Sequence, residues 1–414
     1  MYQLLTGCRA LDLTDERGYL CGRMLADIGV DVIKVEKSGG DLGRRLGPFY
    51  HDIPHPEKSL FYFAYNMNKR GITLDIEKAD GKEILKKLVK TADFVLESFA
   101  PGYLDSLGLG YEHLSKINKG IILTSISPFG CTGPYKDYKA YDLVASAMGS
   151  AMYLTGDSDQ PPVRVSFPQA YLLGASQAAA GAMIAHYYRE LTGEGQWVDT
   201  SVQGSWLTTV TNTMGRWEFS HTITHRQGSM RIGLFAQASA RILYRCKDGF
   251  FSFLLVGGRA GARTNRALVE WMDSEGMADE YIKSIDWLAF DVATITQEEV
   301  DKIENALARF FLTHTKAELQ QGAMDRHIIG LPLSGFADLL QNPQLHARNY
   351  WHEVDHPELG GKITYPGTFV KLPEMPLNMD HSAPLIGEHN EDVYAKELGL
   401  SKGELIILKQ AGVI

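Results

Sequence analysis

Between residues 10 and 128, short apolar runs alternate with helix-period segments, and this alternation limits the fold more than any other feature of the chain. Residues 10–14 (ALDLT) read as a strand and Asp15-Glu16-Arg17-Gly18 as a turn. Leu20, Met24, Leu25 and Ile28 then recur at helical spacing, and Gly29 supplies a left-handed C-cap. Asp31–Glu36 is the next strand. Strand, helix and strand within about 30 residues make a βαβ unit, whose right-handed crossover forces parallel strands. The pattern repeats: a strand over 71–76, an amphipathic helix over 79–91 with Ile84, Leu85 and Leu88 on one face, a strand over 93–97 and another over 120–128. This is the signature of an α/β fold with an open parallel sheet, in which ligands sit at the carboxyl ends of the strands. The loops at those ends are 37–45, 97–103 and 127–142. No GxGxxG follows the first strand, so the dinucleotide fingerprint is absent.

Residues 170–188 carry no charge and are rich in Ala and Gly, after a turn containing Pro161, Pro162 and Pro168. So many small residues let another backbone approach closely, which reads as a buried core helix. The competing reading, a membrane span, is weakened by Ser176, Gln177 and His186 and by the scarcity of Leu and Ile. Gly193-Glu194-Gly195-Gln196 turns the chain into a strand over 197–201, followed by another long helix. From about residue 224 the character changes to a smaller α+β domain. Strands over 240–246 and 250–256 flank the hairpin signal Lys247-Asp248-Gly249, and helices follow over 264–275, 297–313 and 316–326. Helix and loop resume over 337–352, short strands are expected over 362–364 and 368–371, and helices over 391–396 and 402–411.

The net charge of −9 offers no basic excess for nucleic acid, and no signal peptide is evident, so the expected compartment is the cytoplasm. Four scattered cysteines without a CxxC pair suggest neither a disulfide framework nor a zinc knuckle. His352-Glu353-Val354-Asp355-His356 matches HExxH, but Val354, Pro357 and the turn at Gly360-Gly361 favour a strand. There the histidines stand about 13 Å apart, too far for one metal; no metal is expected, and the segment reads as a solvated strand end. Lys34, Lys37, Arg44, Arg45, Lys69, Arg70, Lys136 and Lys139 are either phosphate ligands or scattered surface charge. Gly257-Gly258-Arg259-Ala260-Gly261 is either a mobile lid or an ordinary turn.

Several stretches together resemble the family III CoA-transferases, the group that includes formyl-CoA transferase, carnitine CoA-transferase and α-methylacyl-CoA racemase. They are LDLT at 11–14, LADIGVDVIKVE at 25–36, Gly40-Asp41 with Arg44 and Gly47-Pro48-Phe49, NKRGITLD at 68–75 and ESFAPG at 97–102. YKAYD at 138–142, PPVR at 161–164, GEGQWVD at 193–199 and PLIGEH at 384–389 complete the series, in order along most of the chain. The resemblance implies a large Rossmann-like, CoA-binding domain in two parts, 1–225 and 331–414, with a small α+β domain at 226–330 between them, and two chains threaded as an interlocked dimer. It implies a coenzyme A thioester as substrate and no tightly bound cofactor. By position, CoA would lie near Lys37, Leu74, Ser98, Phe99, Tyr103, Leu107 and Lys139, with Arg17 near the thioester.

In that family a single aspartate at the mouth of the long helix attacks the acyl-CoA and forms a mixed anhydride, then an aspartyl-CoA thioester. Counted back from Gly193, its position here is Tyr171; anchored on Gly174, it is Ala170. Neither is a carboxylate, and a phenol with an ordinary pKa of about 10 is a poor substitute. The basic residue usual after Phe99 is also replaced, by Ala100. No catalytic residue is therefore expected in this chain, with Tyr171 as a packing residue. The resemblance implies a subunit of a CoA-transferase whose aspartate-bearing paralogue is its partner. A self-sufficient lyase, isomerase or hydrolase acting on acyl-CoA, and a non-catalytic acyl-CoA-binding protein, are the alternatives. No nucleic acid or membrane partner is expected.

Overall fold

The computed structural model describes residues 4–231, 238–375, 377, 379 and 381–414. They form two compact units, the first comprising Met1–Met152, Arg164–Ile223 and Gln344–Ile414, the second Tyr153–Val163 and Thr224–Pro343.

The first unit opens with β1 (Arg9–Leu13), α1 (Tyr19–Asp27) and β2 (Asp31–Glu36). After it come α2 (Leu60–Asn66), β3 (Arg70–Thr73), α3 (Ala79–Val89), β4 (Phe94–Glu97), α4 (Tyr103–Ser106), α5 (Tyr111–Ile117) and β5 (Ile122–Ser127). Next are α6 (Asp142–Met148), the 24-residue α7 (Gln169–Thr192) and β6 (Trp197–Ser201). The six strands lie in the order β3-β2-β1-β4-β5-β6, every neighbouring pair parallel. This is the doubly wound order whose switch point falls between β1 and β4. Both faces are covered, which is why the strands read as continuous apolar runs. Ala10, Val32, Phe94 and Ile122 pack with Cys21 and Leu25 of α1 and Ala175, Ala178 and Ala182 of α7. Leu11, Ile33, Val95 and Leu123 face the other way, onto Ile84, Leu85 and Leu88 of α3.

The small residues of α7 do what their size permits. A Cβ on Gly174 would lie 2.8 Å from a Val202 methyl, so the helix there tolerates nothing larger. None of the helices among the described residues is long and apolar enough to cross a membrane. The aromatic stretch before Lys69 folds as α2, capped by Ser59, whose Oγ accepts the Tyr62 N–H at 3.1 Å. Beyond β6 the expected long helix is interrupted: α8 (Val202–Leu207) and α9 (Thr211–Ser220) are separated by a 3-10 turn at Thr208–Val210.

The outer edge of β3 is closed by the C-terminal segment. His389 Nδ1 accepts the Gly71 N–H at 3.1 Å, Asn390 Oδ1 accepts that of Thr73 at 2.9 Å, and the Tyr394 hydroxyl donates to the Thr73 carbonyl at 2.6 Å. These contacts satisfy groups that would otherwise be a bare sheet edge. Under them lies a buried charge cluster: Arg44 binds both oxygens of Glu36 at 2.7 Å, Glu57 at 2.7 Å and the Pro384 carbonyl at 2.8 Å. Arg44, Lys34 and Lys69 are thus interior structural cations rather than phosphate ligands. Lys69 pairs with buried Asp12 at 2.7 Å, and Lys34 lies 3.5 Å from Asp41.

Trp351–His356 is a strand, paired antiparallel with Gly361–Pro366, so HExxH is not helical here. It is not a solvated end either: His356 is fully buried, with Nδ1 2.7 Å from Glu358, Nε2 2.8 Å from the Tyr365 hydroxyl, and its ring against Phe63. Residues 368–371 form no strand.

The second unit holds β7 (Met230–Arg231) paired with β8 (Ala240–Arg241), then β9 (Leu243–Cys246) and β10 (Gly249–Phe253) joined by the Lys247-Asp248 hairpin. Helices α10 (Gly258–Ser274), α11 (Glu280–Ser284), α12 (Gln297–Leu312) and α13 (Lys316–Arg326) precede β11 (Gly330–Pro332), which pairs with β10. Thr296/Glu299 and Thr315/Glu318 are capping boxes that start α12 and α13. The core gathers Phe251, Phe253, Trp271, Phe310 and Phe311. The glycine run at 257–261 is neither lid nor turn but the packed start of α10: a Cβ on Gly261 would fall 1.8 Å from the Val256 carbonyl oxygen. The helix begins six residues before its sequence signal, with Ala262 buried in the same core as Leu268, Trp271 and Met272.

Candidate functional site

The carboxyl ends of β1, β2 and β4 open into a pocket of about 260 Å³ at the switch point of the sheet. Lys37, Leu74, Phe99 and Tyr103 line it together with Leu13 and Glu36. Leu74 is 2% exposed and forms the apolar floor, and the Phe99 and Tyr103 rings stand 4.8 Å apart. At the rim, Lys37 pairs with Glu77 at 2.9 Å and the Tyr103 hydroxyl donates to the same carboxylate at 2.5 Å. Burial and the Glu77 charge push the Tyr103 phenol up to about 12. Leu107 packs behind these rings, half-buried. Four of the residues expected from sequence are therefore brought together here and Leu107 supports them. Lys139 is exposed and is not part of this lining.

Ser98 and Arg17 belong to a clamp beside the pocket. The Ser98 hydroxyl donates to Asp15 Oδ1 at 2.7 Å and accepts the Asp15 N–H at 2.8 Å. Asp15 in turn takes the Arg17 Nε on both oxygens, at 2.9 and 3.0 Å, and Nη2 as well. The loop after β1 is thereby tied to the loop after β4. Burial opposes the Arg17 charge, but the bond to Asp15 outweighs it and holds the guanidinium above its usual range.

The mouth of α7 lies next to Arg17. Tyr171, the third residue of the helix, is 4% exposed, and its hydroxyl donates to the Ala140 carbonyl at 3.1 Å. Burial raises its phenol well above the ordinary value against the pull of Arg17, so it carries no charge at neutral pH. Ala170 is fully buried. Pro168 at the N-cap offers no side-chain cap, and the first turn is satisfied from elsewhere: Asp142 Oδ1 accepts the Tyr171 N–H at 3.1 Å. Burial raises the Asp142 carboxyl, opposed by the Tyr171 and Ala170 N–H groups and by Arg164. The sequence reading assigned Asp142 no role. Its only signal was a place in the YKAYD stretch, because the separation of 29 positions between it and Tyr171 closes up only on folding.

Glu97 was likewise given no role. It ends β4, is 8% exposed, and burial lifts its carboxyl to about 7 despite hydrogen bonds from Ser125 and the Phe99 N–H. Among the described residues no group of three or more His, Cys, Asp or Glu side chains is gathered as a metal site.

A Rossmann-order sheet with a pocket at its switch point, and a long helix whose mouth abuts an arginine clamp, make up a frame with room for a ligand at the strand ends. The comparisons agree with it. Residues 5–390 match the model of CoA-transferase family III. The chain is 34% identical over 407 residues to the succinyl-CoA:(R)-benzylsuccinate CoA-transferase subunit BbsE of Thauera aromatica, covering 98% of this chain and 97% of that one. It is 30% identical to the succinyl-CoA–D-citramalate CoA-transferase of Chloroflexus aurantiacus, over 96% of this chain and 94% of the other. In three dimensions it superposes on a CaiB/BaiF family protein from Brucella suis with a TM-score of 0.81 at 25% identity, over 96% of this chain and 100% of that one. With the match running through both parts of the sheet unit and across the unit between them, this chain belongs to CoA-transferase family III.

Proposed function

We propose that this chain is the non-catalytic subunit of a heteromeric CoA-transferase that moves CoA between succinyl-CoA and an aromatic dicarboxylic acid such as benzylsuccinate. One observation carries the reading: at the mouth of α7, where the family places its nucleophilic aspartate, stands a buried, uncharged tyrosine tied to the Ala140 carbonyl. A nucleophile of the family's kind is an ionised carboxylate within reach of the thioester; this buried phenol is uncharged and held by its hydrogen bond. The substrates follow from relatives named for succinyl-CoA as donor. A partner chain is supported by α7 itself, where Ile184, Tyr187 and Leu191 form an apolar stripe 68–71% exposed, which nothing among the described residues covers. The interlocked arrangement of two chains would bury such a stripe.

The pocket lined by Leu74, Phe99 and Tyr103 suits an adenine ring, and Lys37 at its rim suits a phosphate. At about 260 Å³ it falls just below the usual range of about 300–1,000 Å³ for ligand sites, so it would hold only one end of CoA. Ser98 and Leu107 would flank the adenine and phosphate end, and Arg17 would stand near the thioester end.

A self-sufficient enzyme has one feature in its favour, the Asp142 carboxyl at the same helix mouth. Its Oδ1 is engaged by the first turn of α7, which argues for a structural cap. The deciding experiment is expression of the chain alone and with an aspartate-bearing paralogue, assayed for CoA exchange between succinyl-CoA and benzylsuccinate. Activity only in the pair, abolished by changing the partner's aspartate, is expected. Turnover by this chain alone sinks the reading.

A further inference from the structure

The mouth of the switch-point pocket is bridged by a residue that does not itself line it. Glu77 stands on the loop after β3, its N–H held by Asp75 Oδ1 at 3.1 Å. One of its carboxylate oxygens takes the Lys37 ammonium at 2.9 Å, and the other takes the Tyr103 hydroxyl at 2.5 Å. Lys37 follows β2 and Tyr103 opens α4, so a single side chain joins two walls of the pocket. The bond from Tyr103 and the neighbouring Lys37 hold the Glu77 carboxyl below its usual range, and it is ionised at neutral pH.

The surrounding charges explain why this one pair matters. Three carboxylates line the pocket, Asp15, Glu36 and Asp41. Each is matched by a cation of its own: Arg17 at 2.9 Å, Arg44 at 2.7 Å and Lys34 at 3.5 Å. Lys37 is the one cation among the lining residues, and Glu77 neutralises it. A ligand arriving with a phosphate therefore meets a lysine already engaged, with a carboxylate of like sign beside it.

We propose that Glu77 is a specificity residue that lowers the preference of this pocket for phosphorylated ligands: it ties Lys37 to Tyr103, and a phosphate gains the lysine only by displacing it. The inference rests on the reading that the pocket takes the adenine end of CoA, and adds to it the residue that sets how much the phosphate contributes. The apolar part of the site, Leu74 with the Phe99 and Tyr103 rings, does not depend on the Glu77 charge. The effect therefore falls on the phosphate and spares the ring. Glu77→Gln separates the two contacts of this side chain, because an amide oxygen still accepts from Tyr103 while the charge that holds Lys37 is gone.

The test is calorimetric titration of the full chain with adenosine and with adenosine 3′,5′-bisphosphate, which carries phosphate at the two positions where CoA does. Glu77→Gln is expected to bind the bisphosphate about three- to fivefold more tightly than wild type and adenosine equally well. The gain should shrink at high salt, because both partners are exposed, and for the same reason neither substitution puts folding at stake. Lys37→Met should weaken the bisphosphate little in the wild-type chain and about three- to fivefold in the Glu77→Gln chain, a coupling that identifies the lysine as the group released. Equal affinity of wild type and Glu77→Gln for the bisphosphate, a parallel gain for adenosine, or a gain undiminished by Lys37→Met would each overturn the proposal and leave the pocket's assignment standing. Failure of both ligands to bind any of these chains would overturn the assignment and the proposal together.

Discussion

On the reading proposed above, replacing Tyr171 by Asp restores the family's nucleophile in name, and the structure predicts that it restores nothing else. The tyrosine is 4% exposed and packs with Ala170, Ala175 and Ala178. Truncating a buried aromatic ring costs about 3–5 kcal/mol. The new carboxylate would also sit on the residue whose own N–H is held by Asp142 at 3.1 Å, with Glu16 and Asp15 adding like charge. Against this, the helix N-terminus and Arg17 return about 1–2 kcal/mol, and Arg17 is already taken by Asp15. The net is a loss of about 1–4 kcal/mol. Tyr171→Phe deletes only the hydroxyl bond to Ala140, whose carbonyl is on a half-exposed residue and regains water, so about 0.5–1 kcal/mol is expected. Urea denaturation read by circular dichroism gives both values, and CoA exchange by the purified single chain gives the activity. The expected outcome is Tyr171→Phe near wild type in stability and in paired activity, and Tyr171→Asp clearly destabilised and inactive alone. A Tyr171→Asp chain as stable as wild type that turns over by itself would refute the reasoning, because the site would then be neither packed nor disabled.

Glu97 gives a pH test of stability. Its carboxyl is raised from 4.5 to about 7 in the folded chain, so the folded state binds more protons in that window. Its contribution is complete below the lower value and is lost as pH rises through 7, by about 3 kcal/mol in all. Urea midpoints of Glu97→Gln should therefore fall less than those of wild type between pH 5 and pH 8. Arg44→Leu strands the buried Glu36 carboxylate and should cost about 3–5 kcal/mol, of which Glu36→Leu in the same chain restores a large part; a cost without recovery would mean that the pair is not what Arg44 supplies. In CoA titrations, Phe99→Ala should weaken binding more than Lys37→Ala. The ammonium is exposed and already paired with Glu77, a surface contact worth about 0–1 kcal/mol; equal losses would remove the ring site from the proposal.

Much of this was legible in the sequence where one local signal sufficed. The βαβ rhythm, the Gly29 stop and the Lys247-Asp248 hairpin depend on neighbours a few residues away, and each appears in the structure. The small-residue run of α7 announced a close approach correctly, though not that Val202 makes it. Misreadings came where long-range packing overrode local pattern. The glycines at 257–261 look like a loop, but the aromatic core of the second unit winds them into α10. His356 looks like a polar strand end, but Tyr365, Glu358 and Phe63 enclose it.

The sequence by itself determined the class of sheet, the family and the absence of a carboxylate at positions 170 and 171, because periodicity and residue identity are properties of the chain alone. Only the tertiary structure decided what the side chains there do. It set Tyr171 under Ala140, brought Asp142 across a separation of 29 positions to cap α7, and turned lysines and an arginine that read either as phosphate ligands or as surface charge into interior ion pairs. The physical reason is common to all three. Burial and partner geometry set the charge, reach and reactivity of a side chain, and both come from residues far away along the chain.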